Sequence, residues 1–292
     1  MQRTVTSTTE LGARQPPGGG LVDEVRFGLD LARRAGALLM RHYERLEQID
    51  YKSARDVVTE ADHLSEAMIV EAIRTRFPDD AILAEETGEH RAVAGEAPTS
   101  GRGRVWIVDP LDGTVNYANG LPVFCVSIAL VVDGAPAVGV IVDPTRHEAF
   151  SATRDGPALL DDRPIVSSSK DKLSDCVISM ALSGRAATSR ARAVRRQIRI
   201  SRSMGSAALA LAYVANGRFD AFIQQGGLSA WDVAAAGLIA ERGGALVSAM
   251  DGGPWFDLAR GPRSIGILAA PPTHHPTLLG LVADPRAGAG SG

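Results

Sequence analysis

Residues 105–116 read Val-Trp-Ile-Val-Asp-Pro-Leu-Asp-Gly-Thr-Val-Asn, and no other stretch restricts the fold as much. The apolar run Val105 to Val108 predicts a short buried strand, and Pro110, with no N–H to give a ladder, predicts its end at Asp109. Asp109 and Asp112 then stand together at a strand exit, across a turn stiffened by proline. Gly113-Thr114 opens a short helix, roughly Thr114 to Asn119, whose first N–H groups lack intrahelical partners. Two carboxylates so close repel one another unless a proton or a cation lies between them. Acids for a hard cation beside amides for an anion suit a metal-bound phosphate. The same residues also fit a plain Asx-rich turn, in which Asp109 caps and Asp112-Gly113 reverses the chain.

The remaining sequence bounds the alternatives. With 292 residues, 45% hydrophobic and 22% charged, the chain can bury a substantial core as one large domain or two closely packed ones. A formal net charge of -3 supplies no global electrostatic case for binding nucleic acid or a membrane surface. No apolar stretch is long enough to span a bilayer, and the N-terminus lacks the basic-then-apolar order of a secretory signal, so the cytoplasm is expected. Cys125 and Cys176 lie in strand-like apolar runs without a Cys-x-x-Cys, which reads as two reduced core residues and argues against a thiolate zinc site.

Residues 1–20 are Thr-, Gly- and Pro-rich and are expected to be disordered, as is the tail 285–292; residues 21–284 are expected to form the folded unit. Apolar positions from Val22 to Leu39 give an amphipathic helix over about 21–48. Thr59 with Asp62 three residues on, ahead of Leu64, Met68 and Ile69, fits a capping box that starts a helix reaching about Phe77. Ala81 to Ala84 is a strand that ends in Glu85-Glu86, the entry to a polar stretch. Runs near 124–132, 137–142 and 147–153, separated by turn residues, predict an antiparallel meander that Leu159-Leu160 and 164–166 extend. Residues 185–202 carry seven arginines without interleaved aromatics, which favours a solvated face over a nucleic-acid patch. Gly205 to Ala215 is helical, Phe219 to Gln224 a strand, and Asp232 falls in the first turn of a helix reaching Glu241, where the dipole favours a carboxylate. Strands at 245–248 and 264–269 and a helix at 273–282 complete the chain. Each acid, taken alone, has an ordinary structural explanation.

Together they form one pattern. Asp56-Val-Val-Thr59-Glu-Ala-Asp62, Glu85-Glu86, Trp106-Ile-Val-Asp-Pro-Leu-Asp-Gly-Thr-Val-Asn116 and Trp231-Asp-Val-Ala-Ala-Ala-Gly237, in this order, resemble the inositol monophosphatase family of magnesium-dependent, lithium-sensitive sugar phosphatases. The resemblance spans Leu21 to Val282 and implies a layered αβαβα fold of the inositol monophosphatase and fructose-1,6-bisphosphatase type, with a homodimer as the usual assembly. It further implies two to three magnesium ions: Glu85, Asp109 and the Leu111 carbonyl around the first, Asp109, Asp112 and Asp232 around the second, and Glu85 near a weaker third. Thr114 and Asp62 would orient a water activated by magnesium, and the Gly113 and Thr114 amides would hold phosphate. Asp112, Ala207 and Gln224 would face the rest of a small phosphate ester. Gln224 stands where inositol-cleaving relatives place a Glu, so the resemblance leaves histidinol phosphate, fructose 1,6-bisphosphate and 3′-phosphoadenosine 5′-phosphate open beside inositol monophosphate. A regulatory protein that binds RNA or protein through the arginine-rich face is the alternative of another class.

Overall fold

Three apolar clusters, each caught between a sheet and a layer of helices, set the architecture. The computed structural model describes residues 21–43, 49–53, 56–90, 103–182, 185–261 and 263–282. Both tails, residues 44–48 and most of the polar stretch after Glu86 lie outside the described residues; the first helix, expected to reach about 48, ends at His42, where Tyr43 turns to extended backbone.

The first layer pairs α1 (Val22–His42) with α2 (Glu60–Arg76), preceded by a hairpin of β1 (Ile49–Ser53) and β2 (Asp56–Thr59). α1 and α2 cover one face of an eight-stranded sheet. In spatial order that sheet contains β10 (Arg163–Pro164), β9 (Leu159–Leu160), β8 (Glu148–Thr153), β7 (Ala135–Asp143), β6 (Cys125–Val132), β5 (Arg104–Asp112), β3 (Ala81–Ala84) and β4 (Gly88–His90). Its central strands are buried on both faces, so they read as continuous apolar runs and not as alternating ones. On the other face lie α5 (Ala207–Ala215) and α6 (Ala230–Arg242), which also pack against a five-stranded sheet. That sheet runs β12 (Ile200–Arg202), β11 (Val177–Ala181), β13 (Ala221–Leu228), β15 (Ile265–Ala270), β14 (Leu246–Ala249). α4 (Arg185–Arg195) and α7 (His275–Val282) close the stack. α3 (Thr114–Ala118) is the short helix of the Asp-Pro motif. The layers are αβαβα, as the resemblance implied.

α5 and α6 are rich in alanine, which lets the central layer lie close to both sheets. A Cβ added at Gly139 of β7 would stand 2.6 Å from the Ala235 carbonyl oxygen of α6, so glycine sets that approach. The meander is antiparallel, while β3 pairs parallel to β5 and β11 pairs parallel to β12 and β13.

Two local expectations change. β5 does not stop before Pro110: it continues to Asp112, and the register with β6 shifts between Asp109 and Asp112. Proline is accommodated because it falls in that irregularity, where no ladder N–H is required of it. Glu85-Glu86 is likewise not a plain loop entry. Ala84 pairs with Gly88, so residues 85–87 form the tip of a tight β3–β4 hairpin, closed by Gly88 at φ +75°. Both Cys125 and Cys176 are free and buried. Among the described residues no helix is long and apolar enough to cross a membrane.

Candidate metal centre

The site lies where the ends of β3 and β5 meet the N-termini of α2, α5 and α6. Asp62 and Asp232 arrive by the same local device. Each is the third helical residue and closes a capping box, Thr59-x-x-Asp62 at α2 and Ser229-x-x-Asp232 at α6. Asp62 Oδ2 accepts the Thr59 N–H at 2.8 Å, and Asp232 Oδ2 accepts the Ser229 N–H at 2.6 Å. One oxygen of each carboxylate is thus committed to starting a helix. The other oxygen of Asp62 accepts from Thr114 Oγ1 at 3.1 Å.

Asp112 performs a third helix-starting role, for residues that begin 94 positions further along the chain. Its Oδ2 accepts Ser206 Oγ at 2.5 Å and the Ala208 N–H at 2.8 Å, and its Oδ1 accepts the Ala207 N–H at 3.2 Å. These donors belong to the first turn of α5 and the residue preceding it, so β5 of one sheet is tied to the layer between the sheets. Asp109 Oδ1 accepts the Leu111 N–H at 3.0 Å, an Asx turn within the motif. Gly113 adopts φ +99°, and a Cβ there would meet the Val123 carbonyl oxygen at 2.9 Å, which explains the glycine before α3.

Carboxylate oxygens of Asp109, Asp112 and Asp232 lie within 4.8 Å of one another. Asp109 and Asp112 are buried and Asp232 is half-buried. Burial, followed by the neighbouring charges of Glu85, Asp112 and Asp232, holds the Asp109 carboxyl well above the usual range. Burial also raises Asp112, opposed by its Ser206 and backbone hydrogen bonds. Asp232 is pushed up to about 7, by burial first and the Asp112 charge second. Asp62 is raised to about 6, by burial against the restraining bonds from Thr59 and Thr114. Oxygen-only donors, packed too closely to ionise together, fit a hard divalent cation such as magnesium.

Glu85 stands beside Asp109, close enough for a carboxyl–carboxyl hydrogen bond, and is not one of the three clustered acids. The Leu111 carbonyl lies 3.0 Å from Thr114 Oγ1, whose single proton serves either this oxygen or Asp62, and the carbonyl keeps at least one lone pair. Asp112, Ala207, Gln224 and Asp232 line one cavity of about 320 Å³, together with Ser179, Ser203 and Phe222. Gln224 Nε2 donates to the Gly226 carbonyl at 3.2 Å, which leaves its amide oxygen and its second N–H for a ligand. The seven-arginine segment runs along α4, the turn after it and the edge strand β12, whose Arg202 pairs with the cavity-lining Ser179 and precedes the cavity-lining Ser203.

Three supporting residues escaped the sequence reading: Ser206, which donates to Asp112, Ser65, which donates to the Pro110 carbonyl at 3.2 Å, and Glu66, which accepts two backbone N–H groups of the β3–β4 hairpin. Ser65 and Glu66 interrupt the buried stripe Ala61, Ile69, Ile73 of α2 with polar side chains, a pattern visible in the sequence.

The model of the inositol monophosphatase family matches residues 22–285. A Nus factor SuhB of Xylella fastidiosa is 39% identical over 259 residues, covering 84% of this chain and 89% of its own. A fructose-1,6-bisphosphatase/inositol-1-monophosphatase of Thermotoga maritima is 34% identical over 232 residues, covering 79% of this chain and 86% of its own. Among solved structures, the extragenic suppressor protein suhB of Bartonella henselae superimposes with a TM-score of 0.82 at 32% identity, covering 90% of this chain and 99% of that one.

Proposed function

Because the chain belongs to the inositol monophosphatase family, we propose that it is a magnesium-dependent phosphomonoesterase acting on inositol monophosphate or a similar polyol or sugar phosphate. The observation that carries this reading is the trio Asp109, Asp112 and Asp232, whose oxygens converge within 4.8 Å under burial that opposes their joint ionisation. Magnesium would relieve that repulsion and, when bound, supplies Lewis-acid polarisation and a more acidic water. Glu85, Asp109 and the Leu111 carbonyl would hold one ion, and the trio a second, with Glu85 contributing to a weaker third.

The protein's own groups account for the rest. At neutral pH Asp62, titrating near 6, is mostly ionised and still basic enough to take a proton, which suits a general base. Thr114 Oγ1 carries one proton, which it can give to Asp62 while its lone pairs orient a water for attack on phosphorus. The Gly113 and Thr114 amides would hold phosphate oxygens, and the 320 Å³ cavity would take the leaving alcohol against Ser179, Ser203, Ala207 and Gln224. The likeness to a relative named for both fructose 1,6-bisphosphate and inositol 1-phosphate supports this substrate range. We take the catalytic unit to be residues 21–284, soluble in the cytoplasm and paired as a homodimer.

Phosphate release from inositol 1-phosphate, histidinol phosphate, fructose 1,6-bisphosphate and 3′-phosphoadenosine 5′-phosphate, with and without magnesium, tests the reading. Turnover that needs magnesium and concentrates on one ester is expected. No turnover from a folded, magnesium-bound protein would overturn it.

The relatives named Nus factor SuhB favour a second reading, in which exposed arginines of α4, β12 and the turn between them (Arg192, Arg195, Arg196, Arg199, Arg202) contact RNA. Salt-sensitive RNA binding that disappears when Arg195 and Arg196 are replaced would support it. Binding that ignores those substitutions would count against it.

A further inference from the structure

The β3–β4 hairpin has a difficulty at its tip. Residues 85–87 leave the ladder, so their N–H groups need other acceptors. The Glu85 N–H reaches the Val108 carbonyl at 3.1 Å, one step beyond the parallel pairing of β3 and β5. The next two both go to one side chain: Glu66 Oε2 accepts the Glu86 N–H and Glu66 Oε1 accepts the Thr87 N–H, each at 2.8 Å. Glu66 is only 1% exposed, and its two oxygens each hold one of these amides. A second tie fastens the same hairpin further out, where Arg74 of α2 bonds His90 Nδ1 at 2.8 Å.

Glu66 lies one helical turn after Asp62, so both project from the same face of α2. Between them Ser65 holds the Pro110 carbonyl. Three hydrogen-bonding positions on one side of this helix therefore fix Thr114, the Asp-Pro turn and the Glu85 hairpin relative to one another. Glu85 itself sits beside Asp109, and its aim depends on where the hairpin tip is held. We propose that Glu66 is a positioning residue of the metal centre, clamping the hairpin tip so that the Glu85 carboxylate faces Asp109. This inference rests on the metal-centre reading above.

Magnesium binding measured by titration calorimetry on the full chain separates this role from a merely structural one. Glu66→Gln keeps the volume but places an NH2 against one of the two N–H groups. Its magnesium affinity should fall on the order of tenfold, the usual scale for losing support behind a ligand. The magnesium concentration for half-maximal phosphatase activity should rise by a similar factor, with kcat at saturating magnesium within about threefold of wild type and an unchanged circular dichroism spectrum. On a Glu85→Gln background, Glu66→Gln should have no further effect, because the group it positions is already altered. Equal magnesium binding by wild type and folded Glu66→Gln, or the same loss in both backgrounds, would overturn the inference while leaving the phosphatase reading intact. A wild-type protein that binds no magnesium would overturn both. Should Glu66→Gln not fold, Glu66→Asp, which withdraws the charge by one methylene, serves for the same measurement.

Discussion

Replacing Asp62 with asparagine should make the metal-free protein less sensitive to rising pH, while destroying the proposed base. The Asp62 carboxyl titrates near 6 in the fold against 3.8 in the free side chain, because burial outweighs its hydrogen bonds from Thr59 and Thr114. A raised pKa means stability that is complete below the unfolded value and lost as pH rises through the folded one. At pH 5 the unfolded carboxyl is almost wholly ionised while the native one is about one-tenth ionised, a cost of about 1.6 kcal/mol; by pH 8 both are ionised and the cost reaches about 3 kcal/mol. Wild type should therefore lose about 1.4 kcal/mol more than Asp62→Asn between pH 5 and pH 8, or roughly 3–5 °C in Tm. His90 and His275, lowered by burial, titrate in the opposite sense, but they are common to both proteins and cancel in the comparison. Thermal or urea unfolding in the presence of a chelator at the two pH values provides the measurement. Parallel stability curves would refute the argument, since they would mean that Asp62 ionises in the fold as easily as in water. Saturating magnesium should restore part of the lost wild-type stability at pH 8, because it favours the ionised cluster.

Thr114→Val removes the hydroxyl between Asp62 and the Leu111 carbonyl at nearly constant volume, and turnover should fall at least about a hundredfold with the circular dichroism spectrum unchanged. Gly113→Ala forces a Cβ onto a φ of +99° and to within 2.9 Å of the Val123 carbonyl oxygen; a loss of about 1–3 kcal/mol is expected in denaturant unfolding. Gln224→Glu puts an acceptor-only anion on the cavity wall, where it accepts from ring hydroxyls and repels a second phosphate. The ratio of kcat/KM for inositol 1-phosphate over fructose 1,6-bisphosphate should therefore rise severalfold.

Where the sequence was legible, one local rule dominated. The doubly buried strands β5, β6 and β7 were visible as uninterrupted apolar runs, and Thr59-x-x-Asp62 announced the start of α2. Acids at element termini were visible for the same reason, since caps and turns have their own residue preferences. The extension of β5 through Pro110 was not visible, because only the register of β6 reveals the irregularity that admits a proline. Nor was the attachment of Asp112 to Ser206, Ala207 and Ala208, which depends on how two sheets stack around α5 and α6. Glu66 fell between these cases: its place in an apolar stripe was readable, but its partners were not.

Asp62 and Asp232 each spend one oxygen on initiating the helix that carries them. Helix ends fray at a fraction of the free energy needed for global melting. An opening of the first turn of α2 or α6 would leave the hydrophobic layers intact and yet swing an acid out of register with its neighbours. Warming should accordingly silence catalysis some degrees before the tertiary structure cooperatively melts, and cooling should restore it without refolding. The working temperature of such a site is governed by the terminal turns of two helices and not by the strength of the core beneath them.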